Sequence, residues 1–186
     1  MIKLSDGTTS RDSETVEIRP LVPNDGDYIS KNVIDAVEIC DEQLGLGYLT
    51  PDSYIPSPFN YGLFVDGELA TICLAQVDTP QEANERVKFA RFEDPVLFIS
   101  TIATLQKFKK RGFATELLEF VMNTSPLGVY GTAWESKEGI NIEFVFRKCG
   151  LEKEVELKHY FIHGTSECPD CGQPPCKCSA WLFTRE

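Results

Sequence analysis

Lys107, Lys109, Lys110 and Arg111 place four cations in five positions of a chain whose net charge is -11. Gly112 follows them, and an apolar run ending near Thr104 precedes them. A cationic, glycine-bearing turn between a strand and a helix suits a phosphate group. The first N–H groups of a helix have no internal partner, and the helix dipole favours an anion there. Glycine lets the main chain approach closely, because no Cβ intervenes. A second constellation lies near the C-terminus. Cys168, Cys171, Cys176 and Cys178 crowd into residues 168–178. Four thiolates can close a tetrahedral zinc site with no open position, a structural rather than a catalytic arrangement. Two local disulfides or unligated thiols are the other readings of the same spacing, and His163 could replace one thiol. The remaining cysteines, Cys40, Cys73 and Cys149, stand in apolar surroundings and read as small core residues.

The elements that must position these groups follow from periodicity and punctuation. Glu14 to Leu21 alternates and is rich in β-formers, which predicts a strand. Ile29, Val33, Val37, Cys40 and Leu44 recur at helical spacing, and Gly45 and Gly47 end that helix. Asn60 to Val65 and Glu68 to Val77 are strands joined by Asp66-Gly67, a hairpin signal. Asp78 to Asp94 is a charged connection that holds some helix. Val96 to Leu105 reads as a central strand. Phe113 to Asn123 reads as a helix with Leu117, Leu118 and Val121 inward. Leu127 to Trp134 is a strand, and Glu138 to Cys149 a helix capped by Gly150. Val155 to His163 and Ser179 to Arg185 complete the set, with the cysteine loop at the tip between them.

Lys109-Lys110-Arg111-Gly112-Phe113-Ala114 resembles the (Gln/Arg)-x-x-Gly-x-(Gly/Ala) signature of the GNAT superfamily of N-acetyltransferases. Lys stands at 109 in place of the usual Gln or Arg, and Gln106 stands where Pro is common. Phe146-Arg147-Lys148-Cys149-Gly150-Leu151 resembles the family's Tyr-Glu-Lys-Leu-Gly-Phe element, and Ile18-Arg19-Pro20-Leu21 resembles its opening strand. The element order agrees from residue 14 onward. The resemblance implies an α/β (α+β) GNAT fold. Its central sheet is mixed, mostly antiparallel, of about seven strands flanked by helices, with a cysteine-rich insertion in the C-terminal hairpin. Residues 1–13 are expected to be a flexible arm and 14–186 a single domain that includes a cysteine-rich loop at 164–178.

The resemblance also implies acetyl-CoA as cosubstrate. Its pyrophosphate would lie on Lys109, Lys110, Arg111, Gly112, Phe113, Ala114 and Thr115. Ile102, Ala103 and Thr104 would splay from the neighbouring strand, pair with pantetheine and supply the N–H for the oxyanion. Phe146 stands where many relatives carry Tyr, beside the cofactor. Phe has no proton to give, so Tyr130, Tyr160 or water would protonate the leaving thiolate, or it leaves unassisted. Glu135, at the end of a central strand, is the nominated base; the alternative is an exposed acid before a helix. His159 and His163 read as structural.

Composition bounds the rest. A chain of 186 residues can bury roughly 70% of its unfolded surface. No run of apolar residues is long enough for a membrane helix, and residues 1–13 lack a signal-peptide core. Reduced thiols in a cytoplasmic setting are therefore expected. Strong acidity argues against nucleic-acid binding. Without the four cations of 107–111, 14 basic residues face 29 acidic ones, a balance of -15. That field favours a cationic amine acceptor, either a small molecule or a peptidyl amine. Homodimerisation is left open. The alternative function is a non-catalytic or regulatory module of the same fold that binds CoA or a partner protein.

Overall fold

The computed structural model describes residues 7–11, 14–21, 39, 55–89, 91–140, 142–162, 168, 170–172 and 174–186, with backbone alone for 7–11. The chain forms two units: residues 1–76 with 100–125, and residues 77–99 with 126–186. The strands are β1 (Gly7–Arg11), β2 (Glu14–Pro20), β3 (Tyr61–Val65), β4 (Glu68–Asp78), β5 (Val96–Thr104), β6 (Val129–Trp134), β7 (Glu152–Leu157) and β8 (Ala180–Arg185); their order is β1-β2-β3-β4-β5-β6-β8-β7, and β4 and β5 each contribute residues to both units. The β5–β6 pair is parallel, and β1–β2–β3–β4 and β6–β8–β7 are antiparallel. The predicted sheet of about seven strands is thus present, with β1 as an eighth.

In the first unit, β1 (Gly7–Arg11) pairs with β2 (Glu14–Pro20), from Gly7 opposite Ile18 to Arg11 opposite Glu14. Residues 7–11 are therefore a strand and not part of a loose arm. Polar side chains hide an edge strand from a reading based on apolar alternation. β3 (Tyr61–Val65) and β4 (Glu68–Asp78) form the expected hairpin. Asp66 and Gly67 both have positive φ, 49° and 83°, as a twisted two-residue turn requires. The buried amide of Asn60 ties this sheet together: its Oδ1 accepts from the Ala75 N–H at 2.9 Å, and its Nδ2 donates to the Ile55 carbonyl at 2.9 Å. α2 (Phe113–Asn123) lays Phe113, Leu117, Leu118 and Val121 inward, as its periodicity predicts. Each such side chain contributes roughly 1.5–3 kcal/mol by burial. The helix predicted through Ile29, Val33, Val37, Cys40 and Leu44 lies outside the described residues, except that Ile39 is helical and buried among Leu21, Phe64 and Leu74.

In the second unit, α1 (Pro80–Val87) starts at a capping box, in which the Thr79 side chain and Glu82 satisfy each other's main-chain N–H groups. β5 (Val96–Thr104) runs parallel to β6 (Val129–Trp134) through Leu97, Phe98 and Ile99, opposite Val129, Tyr130 and Gly131. α3 (Glu143–Lys148) begins five residues later than predicted. A tight turn from Ser136 to Gly139 intervenes, with the Ser136 Oγ donating to the Gly139 carbonyl at 2.8 Å. The predicted cap is present: Gly150 has φ +82°, its N–H reaches the Arg147 carbonyl, and the Leu151 N–H reaches that of Phe146. β7 (Glu152–Leu157) pairs with β8 (Ala180–Arg185). It starts and ends earlier than Val155 to His163, because residues 158–162 turn and His159 takes φ +53°. No helix among the described residues is long and apolar enough to cross a membrane.

Candidate functional site

The cationic turn lies wholly in the first unit. β5 ends at Ile102-Ala103-Thr104, and the Leu105 N–H donates to the Ala70 carbonyl at 3.0 Å. Thr104 Oγ1 meets Thr71 Oγ1 at 3.0 Å. A single 3-10 turn follows (Gln106–Phe108), then Lys109 in extended conformation. Lys110 takes φ +62° and Gly112 φ +86°, and α2 begins at Phe113. Phe108 and Phe113 are buried with ring centroids 6.3 Å apart, so the turn hangs from two apolar anchors. A Cβ at Gly112 would meet nothing within 4 Å. Glycine is needed here for its backbone angle, and the space above it is open to a ligand.

The four cations are not equivalent. Lys107 pairs with Glu68 at 2.5 Å, and Arg111 pairs with Glu14 while its guanidinium lies 4.7 Å from the centre of the Phe113 ring. Lys109 and Lys110 are exposed and have no carboxylate partner among the described residues. The turn therefore combines two presented ammonium groups with the N-terminus of an 11-residue helix. Ala114 is half-buried in the first turn of α2, and Thr115 is buried.

The groups nominated for proton transfer sit in the second unit. Glu135 follows β6 directly; it is half-buried, and its N–H donates to the Ser179 carbonyl at 3.1 Å. Phe146 is 3% exposed. Its ring lies against Phe183, and a Cβ on Gly131 would come within 2.8 Å of it, so glycine at 131 makes room for the ring. Tyr130 is not available as an acid. It is fully buried, and its hydroxyl donates to Asp78 at 2.5 Å. Burial first, then the Asp78 carboxylate, holds that phenol well above its usual range. Arg86 completes the group, its Nε donating to Asp78 at 3.0 Å and to the Tyr130 hydroxyl at 3.1 Å, with the guanidinium stacked 4.1 Å from the Phe98 ring centre. The sequence reading missed this triad, because Asp78 reads as the start of a charged loop. Tyr160 is half-buried, His159 is exposed, and His163 lies outside the described residues.

The cysteine loop is assembled. The sulfurs of Cys168, Cys171, Cys176 and Cys178 lie within 4.8 Å of one another. Cys171 and Cys178 are 3.2 Å apart and Cys168 and Cys178 3.6 Å, while all four remain free thiols. Cys168 and Gly172 exchange both main-chain hydrogen bonds, which closes the knuckle, and Gly172 has φ +78°. Burial raises Cys178 to about 12. Burial acts the same way on Cys168, but the N–H groups of Cys171 and Asp170 outweigh it and bring that thiol to about 7. Cys73 and Cys149 are buried singly, as expected, and Cys40 lies outside the described residues.

No family model and no curated protein matches the sequence. Solved structures do match its fold. Arabidopsis thaliana NAA60 in complex with acetyl-CoA superposes with a TM-score of 0.66 at 14% identity, over 92% of this chain and 99% of that one. The Escherichia coli ribosomal-protein-S18-alanine N-acetyltransferase gives 0.59 at 12%, over 91% and 92%. Drosophila melanogaster polyamine N-acetyltransferase gives 0.59 at 10%, over 92% and 99%. With its parallel β5–β6 pair, its strand–turn–helix and these neighbours, the chain has the GNAT fold.

Proposed function

We propose that the chain is an N-acetyltransferase, moving an acetyl group from acetyl-CoA to a primary amine. The observation that carries this reading is the turn at 109–112. Two residues in left-handed conformation, two exposed lysines and a helix N-terminus converge on open space. In this reading the main-chain N–H groups of residues 110–115 hold the pyrophosphate, with Lys109, Lys110 and Arg111 adding charge. Ile102, Ala103 and Thr104 position the thioester and supply the oxyanion N–H. Glu135 takes the ammonium proton. Phe146 is a packing wall, and the departing thiolate takes its proton from water or from Tyr160. Acetyl-CoA supplies the activated acyl group, and the protein's share is positioning, worth roughly 7–11 kcal/mol in favourable cases.

The fold's neighbours include enzymes whose names specify a peptide-chain alanine and polyamines. The acidic balance of this chain favours the cationic class, whether a polyamine, an aminosugar, a lysine or an N-terminal amine. Residues 14–186 act as one acetyltransferase domain, in the cytoplasm. The four-cysteine loop holds a structural zinc outside the reacting centre. A second reading is a CoA-binding or partner-binding module without catalysis, favoured by the missing hydroxyl at Phe146 and the locked one at Tyr130.

Calorimetry with acetyl-CoA tests the first claim. The parent should bind, and Gly112→Asp, which adds a Cβ and a negative charge, should not; equal affinity overturns it. Release of free CoA thiol is then followed across a panel of amines at low and high salt. Turnover with cationic amines that falls as salt rises supports the enzyme, and binding without turnover supports the module.

A further inference from the structure

The thiols of the β7–β8 loop are arranged for a metal, and the loop is strapped to another segment. A zinc ion 2.3 Å from four tetrahedral sulfurs sets them about 3.8 Å apart. The observed separations, 3.2 and 3.6 Å with all four within 4.8 Å, bracket that value. A set of four thiolates around a divalent ion keeps a net negative charge, which needs donors around it. Main-chain N–H groups point at sulfur, among them Cys171 at Cys168 (3.5 Å), Lys177 at Cys171 (3.5 Å) and Cys178 at Cys176 (3.4 Å).

Two residues beside the sulfurs then reach across to the segment that follows β6. Asp170, between two of the cysteines, accepts the Lys137 N–H on its carboxylate at 2.8 Å, and its carbonyl accepts the Lys137 ammonium at 2.8 Å. Ser179, next to Cys178, accepts the Glu135 N–H on its carbonyl at 3.1 Å. Glu135 and Lys137 are thus both held by neighbours of the sulfur cluster. They flank Ser136, which starts the tight turn to Gly139.

We propose that Cys168, Cys171, Cys176 and Cys178 bind one zinc ion as a closed tetrathiolate site, and that this ion clamps Glu135 to Lys137 through Asp170 and Ser179. The site takes a thiophilic divalent cation and has no open position for substrate. Its work is mechanical. Occupied, it fixes the knuckle and with it the two straps. Emptied, nothing joins the four sulfurs, and both straps are released. Only the importance of Glu135 for acyl transfer rests on the proposed function; the site and the clamp do not.

The test uses the full chain and no activity assay. Elemental analysis of protein purified without added metal should give about one zinc per chain. Cobalt(II) exchanged into the parent should give the absorption of a four-thiolate tetrahedral ion. Hydrogen exchange before and after chelation should show the Glu135 and Lys137 amides opening about tenfold faster without metal, with Leu182 in β8 unchanged. Asp170→Ala should keep the zinc and still speed exchange at Lys137. Protein free of metal, or loaded with iron, overturns the site. Zinc that departs without altering exchange at Glu135 and Lys137 overturns the clamp. Cys171→Ser should lose zinc; if it fails to fold, the cobalt spectrum of the parent decides.

Discussion

The turn before α2 and the loop before β8 each gather charge at the surface, but they hold their shape by different means. The first hangs on Phe108 and Phe113, buried in the unit that carries it, and its functional groups are main-chain N–H groups and exposed lysines. Among its described residues the second has little apolar anchorage. Of its four cysteines only Cys176 is buried, and its order comes from a two-bond knuckle, Asp170 and the convergence of four sulfurs. A site made by backbone conformation is ready before its ligand arrives. A site made by like-charged ligand atoms is completed by the ion that neutralises them. The two loops also share a device. Gly112 and Gly172 both take left-handed angles, and a Cβ at either would meet nothing within 4 Å.

Phe113→Ala should have the largest effect. Phe113 is 1% exposed, so its loss should cost about 3–5 kcal/mol and lower the melting temperature by roughly 10 °C, read by calorimetric scan. It should also weaken acetyl-CoA binding, since the anchor and the cradle are one structure. A change in binding with no change in melting would separate them and break the contrast. The paired glycines sharpen it. Gly112→Ala and Gly172→Ala should each cost about 1–2 kcal/mol in backbone strain. The first should lower affinity for acetyl-CoA and leave zinc affinity alone, and the second should do the reverse. Cross-talk in either titration would mean that the loops are not independent. The smallest effect is expected from Glu14→Gln, which removes one carboxylate competing for Arg111. Both side chains are over a third exposed or close to it, so the gain in acetyl-CoA affinity should be a few-fold at most and vanish in high salt.

The parts of the fold that were legible are those in which one local signal decides the outcome. Asp66-Gly67 can hardly be anything but a tight hairpin, Phe113 to Asn123 carries its own apolar stripe, and Gly150 ends α3 as a left-handed cap. The start of α3 was misplaced because Ser136 folds back on Gly139, a side-chain bond that competes with helix and leaves no mark in periodicity. The capping box at Thr79 and Glu82 is written in the sequence as Thr-x-x-Glu, a short signal masked by the charged stretch around it. In the candidate site the phosphate turn was legible because its residues are contiguous. The pairing of Lys107 with Glu68 and of Arg111 with Glu14 was not, since each joins residues far apart in sequence. The same holds for Tyr130, whose availability as an acid depends on Asp78, 52 residues away.

That buried triad has a consequence for how the sequence can drift. Asp78 and Tyr130 are both at 0% exposure, and Arg86 hydrogen-bonds to each of them. Changing Asp78 alone leaves the buried Tyr130 hydroxyl without its acceptor and the part-exposed Arg86 without this carboxylate. Changing Arg86 alone removes the cation beside an interior carboxylate that the Tyr130 hydroxyl still holds. Each single step is costly, while an apolar replacement of all three at once need not be. The three positions therefore form one unit of inheritance: a lineage keeps them together or crosses a valley to lose them together.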